Sequence, residues 1–305
     1  MAKLAPALPP PASLREPRIR RYPSGMAETA QQEMFTYAAP SDSKARRMII
    51  RAIEKATGQP HLKRLYLEFQ EELASGRNPD DFFTAGVKKL RLDLAYDQAK
   101  LLAAPKTGPL VVIANHPFGV LDGVVICHLM LKLRSDFRIL SNSALYRVPE
   151  IYQWLLPVDF AETREALATN IKTRAEARKF VEGGGALIIF PAGGVATTPS
   201  ALARKAVDAE WKPLTAKLIK QGKAPVLPIF FHGQNSRLFQ IASQASLTVR
   251  LALIFREVHR RIGTRLPITI GDVIPYEKIA ALSSERDEVM EFLRKSVFDL
   301  EQAAP

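Results

Sequence analysis

Apolar residues follow two different periods along this chain, and the change from one to the other predicts its layout. From Lys44 to Ala56, Ala45, Met48, Ile49, Ile53 and Ala56 recur at helical spacing while Lys44, Arg47, Arg51 and Lys55 fill another stripe, a basic amphipathic helix. Gly58 and Pro60 break it. Leu62, Leu65, Tyr66, Phe69 and Leu73 predict a second helix over 62–73, and a third is expected over 80–90. Short unbroken apolar runs then take over at 109–114, 137–140, 155–159, 186–190, 224–231 and 266–274, with 92–96 as an edge strand. Runs apolar at every position read as strands buried on both faces. Helical stretches over 120–133, 144–154, 162–181 and 213–220 separate them, and such alternation predicts βαβ units. Gly183, Gly184 and Gly185 precede a strand with no Lys-Ser/Thr after them, so they read as a helix stop rather than a phosphate loop. Ser284 with Asp287 resembles a capping box that opens a last helix through Val289, Phe292, Leu293 and Leu300. The class this pattern predicts is α/β, with βαβ units forming a sheet behind a helical N-terminal cap. Residues 1–40 read as a disordered, basic, Pro-rich tail, 41–91 as an N-terminal helical region, and 92–305 as the sheet domain.

Composition narrows the classes open to such a fold. The 305 residues, 47% hydrophobic, suffice for a substantial core but contain no apolar run of the roughly 20 residues a membrane span needs. A soluble or surface-bound protein is expected. Met1–Pro40 lacks a continuous apolar stretch, so no secretory leader is expected, and its six early prolines oppose an amphipathic import helix. Lys and Arg outnumber Asp and Glu by 43 to 31; a formal charge of +12 attracts anionic membranes, acidic carrier proteins, phosphorylated substrates or nucleic acid. The most basic run, Arg250–Arg265, carries only Phe255 as an aromatic, which argues against nucleic acid. A single cysteine, Cys127, within an apolar helix suits a buried, inert thiol and a reducing cytoplasm. The histidines are scattered and no G-x-G-x-x-G follows a strand, so neither a metal nor another cofactor is expected.

The candidate chemistry lies in VVIANHPFGVLDGVVICHL, residues 111–129. Asn115 and His116 stand at the carboxyl end of a buried strand, where open α/β sheets bind ligands. Asp122 falls in the first turn of the next helix, where a carboxylate suits the helix dipole but needs a partner if buried. A carboxylate on one imidazole nitrogen fixes the tautomer and leaves the other nitrogen as a general base. The alternative from these residues alone is a core histidine bonded to a carbonyl, with the aspartate as a helix cap. A second strand runs into PAGGVATTPS, a sharp turn whose backbone N–H groups can cradle an anion or a developing oxyanion, or simply reverse the chain.

These words also carry a resemblance. NHPFGVLDG resembles the first signature block of the glycerolipid and lysophospholipid acyltransferases (1-acylglycerol-3-phosphate acyltransferase-like), Asn-His, four residues, Asp; five residues, Pro117–Leu121, intervene here. NHPFG with one extra residue is similar to the subgroup of hemolysin-like proteins and bacterial ornithine-lipid and glycine-lipid O-acyltransferases. Phe190, Pro191 and Gly193 resemble the third block, Phe-Pro-Glu-Gly-Thr, with Ala192 in place of Glu. Ala224–Phe231 resembles the fourth block, HGQNS after it is similar to the subgroup's wording, and Asp159 stands where the second block usually has Arg. The resemblance implies an α/β fold with a mixed β-sheet flanked by helices and a helical N-terminal addition, an acyltransferase domain over 92–305, and transfer of a fatty acyl group from acyl-CoA or acyl carrier protein to a lysolipid hydroxyl. His116 and Asp122 would be catalytic, and Gly193 and Gly194 would serve the oxyanion. Asn115, Phe190, Pro191, Arg204, Lys205, Lys212, His232 and Asn235 would border the substrate. The protein would be cytoplasmic and peripheral on the inner, anionic face of the membrane. Two other classes remain: a non-catalytic lipid-binding protein derived from this fold, and a serine hydrolase, against which the absence of G-x-S-x-G argues.

Overall fold

The computed structural model describes Thr36, Ala38 and residues 43–77, 80–282 and 286–303. The tail expected over 1–40, apart from Thr36 and Ala38, and the Ser284 cap lie outside the described residues.

The helical region consists of α1 (Lys44–Ala56), α2 (Gln59–Ala74) and α3 (Phe82–Lys89). Pro60 does not end a helix but starts one, because the first helical turn has no use for the N–H that proline lacks. Asp81 caps α3 by accepting the N–H groups of Phe83 and Thr84. The sheet then follows: β1 (Asp93–Ala95), helix α4 (Gln98–Leu102), β2 (Leu110–Ala114), α5 (Val120–Leu133), β3 (Phe137–Asn142), β4 (Leu155–Val158), α6 (Arg164–Glu182) and β5 (Ala186–Ile189). After a long connection come α7 (Leu214–Gly222), β6 (Val226–Phe231), α8 (Arg237–Ala245), α9 (Leu247–Ala252), α10 (Ile254–Arg260), β7 (Arg265–Ile270), α11 (Tyr276–Ala280) and α12 (Arg286–Phe298).

The seven strands lie in the order β1-β7-β6-β2-β5-β3-β4, parallel throughout except between β6 and β7. The sheet is therefore mixed, as expected, and β1 sits at its edge. β2, β5 and β6 are buried at every position. Alternation divides them between two layers: Leu110, Val112 and Ala114 face α5, whereas Val111 and Ile113 face the layer built by α6, α7 and α12. Leu62, Phe83 and Val87 of the N-terminal helices join the α5 layer, so one core runs under both. No described helix is long and apolar enough to cross a membrane.

Two expectations need correction. Residues 144–154 form two 3₁₀ turns, Ser143–Arg147 and Pro149–Trp154, not one helix, because Pro149 cannot continue the first turn. The strand expected over 266–274 stops at Ile270; Gly271 and Pro275 follow, and only an isolated bridge from Ile274 to Val226 remains. The basic run Arg250–Arg265 is partly consumed by the fold. Arg256 meets Glu257 and Ser236, and Arg261 lies over the Phe118 ring at 4.3 Å while donating to the Gln234 carbonyl.

Candidate active site

The chain brings the site together where the helical connections diverge. From β2 the path through α5 leads to β3 on one side, and from β5 the path through α7 leads to β6 on the other, so a crevice opens above the carboxyl ends of β2, β5 and β6. His116 leaves the end of β2 there. Gly119, at φ 80°, turns the chain into α5; a Cβ on it would stand 2.9 Å from a Val195 methyl, so glycine is needed both for the backbone and for the space.

Asp122 lies in the first turn of α5 and is fully buried. Its Oδ2 accepts three hydrogen bonds: from Phe118 N–H at 2.8 Å, from Gly119 N–H at 2.9 Å and from His116 Nδ1 at 3.0 Å. The extra residue between His116 and Asp122 is absorbed by the turn at 117–119, and the two side chains meet. Burial raises the Asp122 carboxyl above the usual carboxylate range, opposed by the His116 bond and the two N–H groups. An acceptor on Nδ1 fixes the proton on that nitrogen, so Nε2 carries the lone pair. The ring of His116 is stacked on Phe190, centroids 4.1 Å apart.

The main chain of His116 is held from both sides. Its N–H donates to Asp208 Oδ1 at 3.1 Å, and its carbonyl accepts from Ala196 N–H at 2.8 Å. Asp208 also accepts from the indole of Trp211 at 3.0 Å, and burial raises its carboxyl too. Asp208 did not emerge from the sequence: it sits 92 positions from His116 in a polar run with no periodic or motif signal. The turn 190–196 is thus fastened to His116 at both ends, through the Phe190 ring and through Ala196. Gly193 and Gly194 span the gap between.

Not every candidate stands as the sequence suggested. Gly193 N–H is spent inside the turn on the Phe190 carbonyl at 2.9 Å; Gly194 N–H has no acceptor among the described residues. Asn115 is buried, and its amide clasps the main chain of Phe231 with bonds of 2.9 and 2.7 Å, joining the ends of β2 and β6. Asn235 is buried, and its side chain has no hydrogen-bond partner among the described residues. The Pro191 carbonyl accepts the Lys212 N–H at 2.9 Å, which ties the start of the glycine turn to the segment before α7. His232 Nε2 meets the Thr269 hydroxyl at 2.7 Å; since that hydroxyl donates to the Ala303 carbonyl, the imidazole is the donor. Burial lowers its pKa.

A cleft of about 400 Å³ opens beside the dyad. Asn115 and Pro117, the neighbours of His116, line it together with Asp208, Arg204, Lys205 and His232, but the His116 ring does not. Lys205 is paired with Glu301 at 2.7 Å, whereas Arg204 has no carboxylate partner among the described residues. Cys127 is buried in α5, and burial pushes its thiol up.

Comparison with known proteins places the chain. Two curated proteins named lyso-glycine lipid O-acyltransferase are similar to it: one from Phocaeicola vulgatus, 25% identical over 200 residues covering 61% of this chain and 66% of that protein. The other, from Bacteroides thetaiotaomicron, is 25% identical over 187 residues covering 57% of this chain and 63% of its own length. The matched segment spans just under two-thirds of each relative. The crystal structure of the 1-acyl-sn-glycerophosphate acyltransferase PlsC from Thermotoga maritima aligns over 92% of this chain and 88% of its own at 16% identity, with a TM-score of 0.47. A family model described as acyltransferase matches residues 63–304, and by that extent the chain belongs to the acyltransferase family.

Proposed function

We propose that the chain is an O-acyltransferase that moves a fatty acyl group from a thioester of coenzyme A or acyl carrier protein to the free hydroxyl of a lysolipid. The observation that carries this reading is the contact of His116 Nδ1 with the buried Asp122 at the mouth of the sheet. In the proposed reaction His116 Nε2 removes the proton of the acceptor hydroxyl as its oxygen attacks the thioester carbonyl. Asp122 steadies the imidazolium. The tetrahedral oxyanion faces the N–H of Gly194. The C–S bond then breaks, and the proton on His116 passes to the departing thiolate, leaving an ester and a free thiol. No covalent enzyme intermediate is required.

The acceptor is proposed to carry an amino-acid or phosphate head group, whose anion Arg204 would meet in the cleft; the names of the two curated relatives support the amino-acid form. The residues from 92 onward are proposed as the acyltransferase domain, with the three N-terminal helices as its addition, and the site of action as the cytoplasmic face of a membrane. The basic helix α1, with Met48 and Ile49 turned outward, supports the last. The test is thioester consumption by the purified protein, with mass spectrometry of the lipids formed from a panel of lysolipids. Consumption that depends on an added lysolipid and yields its ester supports the enzyme. Liposome binding without turnover returns the chain to the lipid-binding class.

A further inference from the structure

Helix α6 presents apolar residues where a helix packed on a sheet should be polar. Its inner face is accounted for by buried Ala166, Thr173, Ala177 and Val181. Asn170 beside them grips the main chain of Asp159 with two hydrogen bonds of 2.9 and 2.7 Å. On the outer face Arg164, Leu167, Ile171 and Arg174 recur at three- and four-residue spacing and form one stripe. Leu167 is 59% and Ile171 58% exposed. Phe160, next to the Asn170-bound Asp159, is also 59% exposed, and its ring comes within 3.9 Å of the Cβ position of Gly193. Phe160 thus stands exposed beside the glycine turn of the active site, four residues before α6 begins.

We propose that this stripe, with Phe160, is a docking face for an anionic lipid bilayer. Contiguous large apolar side chains on a surface mark a partner, and the charges around them select which one. Lys172 and Arg178 are paired with Glu176 and Glu182, but Arg164 and Arg174, which bracket Leu167 and Ile171, have no carboxylate partner among the described residues. Apolar side chains entering the interface between long cationic ones that reach back to phosphates is the arrangement of an interfacial helix on anionic lipid. The fold sets its direction: β4 runs parallel to β2, so the first turn of α6 lies at the same end of the sheet as His116. Docking there turns the mouth of the site toward the bilayer. This face is separate from α1, and it rests on the proposed function only for the reason that lipid is the substrate.

The test is co-sedimentation of the full chain with phosphatidylcholine vesicles that contain or lack about 30 mol% phosphatidylglycerol. The wild type should partition onto the anionic vesicles. Leu167→Gln/Ile171→Gln should weaken that partition by at least about tenfold while leaving turnover of a monomeric short-chain lysolipid unchanged. Arg164→Glu/Arg174→Glu should abolish the preference for anionic vesicles. A wild type indifferent to them, or a Leu167→Gln/Ile171→Gln protein that binds them equally well, overturns the proposal. Vesicle binding that follows this pattern without turnover by the wild type leaves the docking face standing and removes the proposed reaction instead.

Discussion

At the scale of single residues, the site is a chain of supports ending at one nitrogen. Asp122 Oδ2 caps α5 and holds His116 with the same atom, so the helix and the imidazole are oriented together. Asp208 does for the main chain of His116 what Asp122 does for its ring. Asp208→Asn keeps the size but offers one acceptor oxygen where two donors, the His116 N–H and the Trp211 indole, now each have their own. Leaving one buried donor unpaired costs about 1–3 kcal/mol, and misplacing His116 should lower kcat by about tenfold with KM nearly unchanged. A fall in KM-dependent binding with kcat intact would show that Asp208 touches substrate rather than positions the base. His116 and Asp122 were legible because ionisable residues stand out in an apolar sequence. Asp208 was not, because its partner is distant in the chain. How the Gly193 N–H and the Asn235 amide are used is not legible, because backbone direction decides which groups near a strand end face the crevice, whereas Asn115 both lines the cleft and clasps Phe231.

At the scale of elements, the turn between β2 and α5 bears the greatest constraint. Gly119→Ala places a side chain at φ 80° and against Val195, so stability should fall by about 2 kcal/mol. Gly123, one turn further along the same helix, has nothing within 4 Å of its Cβ position. Gly123→Ala should therefore be neutral or stabilise by up to about 1 kcal/mol. Denaturant unfolding of the two variants checks both, and equal effects would contradict this account of the turn. The buried strands and the long amphipathic helices were legible from period alone. Short helices such as α4 and α11 were not, since five residues carry too little periodicity to register. The antiparallel placement of β7 was not legible either: pairing direction depends on how the chain returns, which no local pattern encodes.

At the scale of the whole molecule, the histidines set the response to acid. Burial lowers the pKa of His61, His128 and His232 from the ordinary 6.5. Below that value the unfolded chain binds more protons than the folded one at these positions, so stability is lost as pH falls through the range below 6.5. The raised carboxyls of Asp122 and Asp208 act in the opposite sense, favouring the fold as pH falls toward the ordinary carboxylate range. The denaturant midpoint should thus decline between about pH 7 and pH 5, and combined replacement of the three histidines by glutamine should flatten that decline. A midpoint that rises over the same interval would show the carboxyls to dominate. His61 Nδ1 meets His259 Nε2 at 3.0 Å and ties α2 to α10.

The central claim concerns His116, and the most direct measurement is lysolipid-dependent thioester consumption by His116→Ala beside the wild type, with folding of both verified by thermal unfolding. A positioned general base contributes about 10²- to 10⁴-fold, so a loss of that size in kcat at an unchanged unfolding midpoint is the expected result. Turnover by the folded variant at the wild-type rate would contradict it.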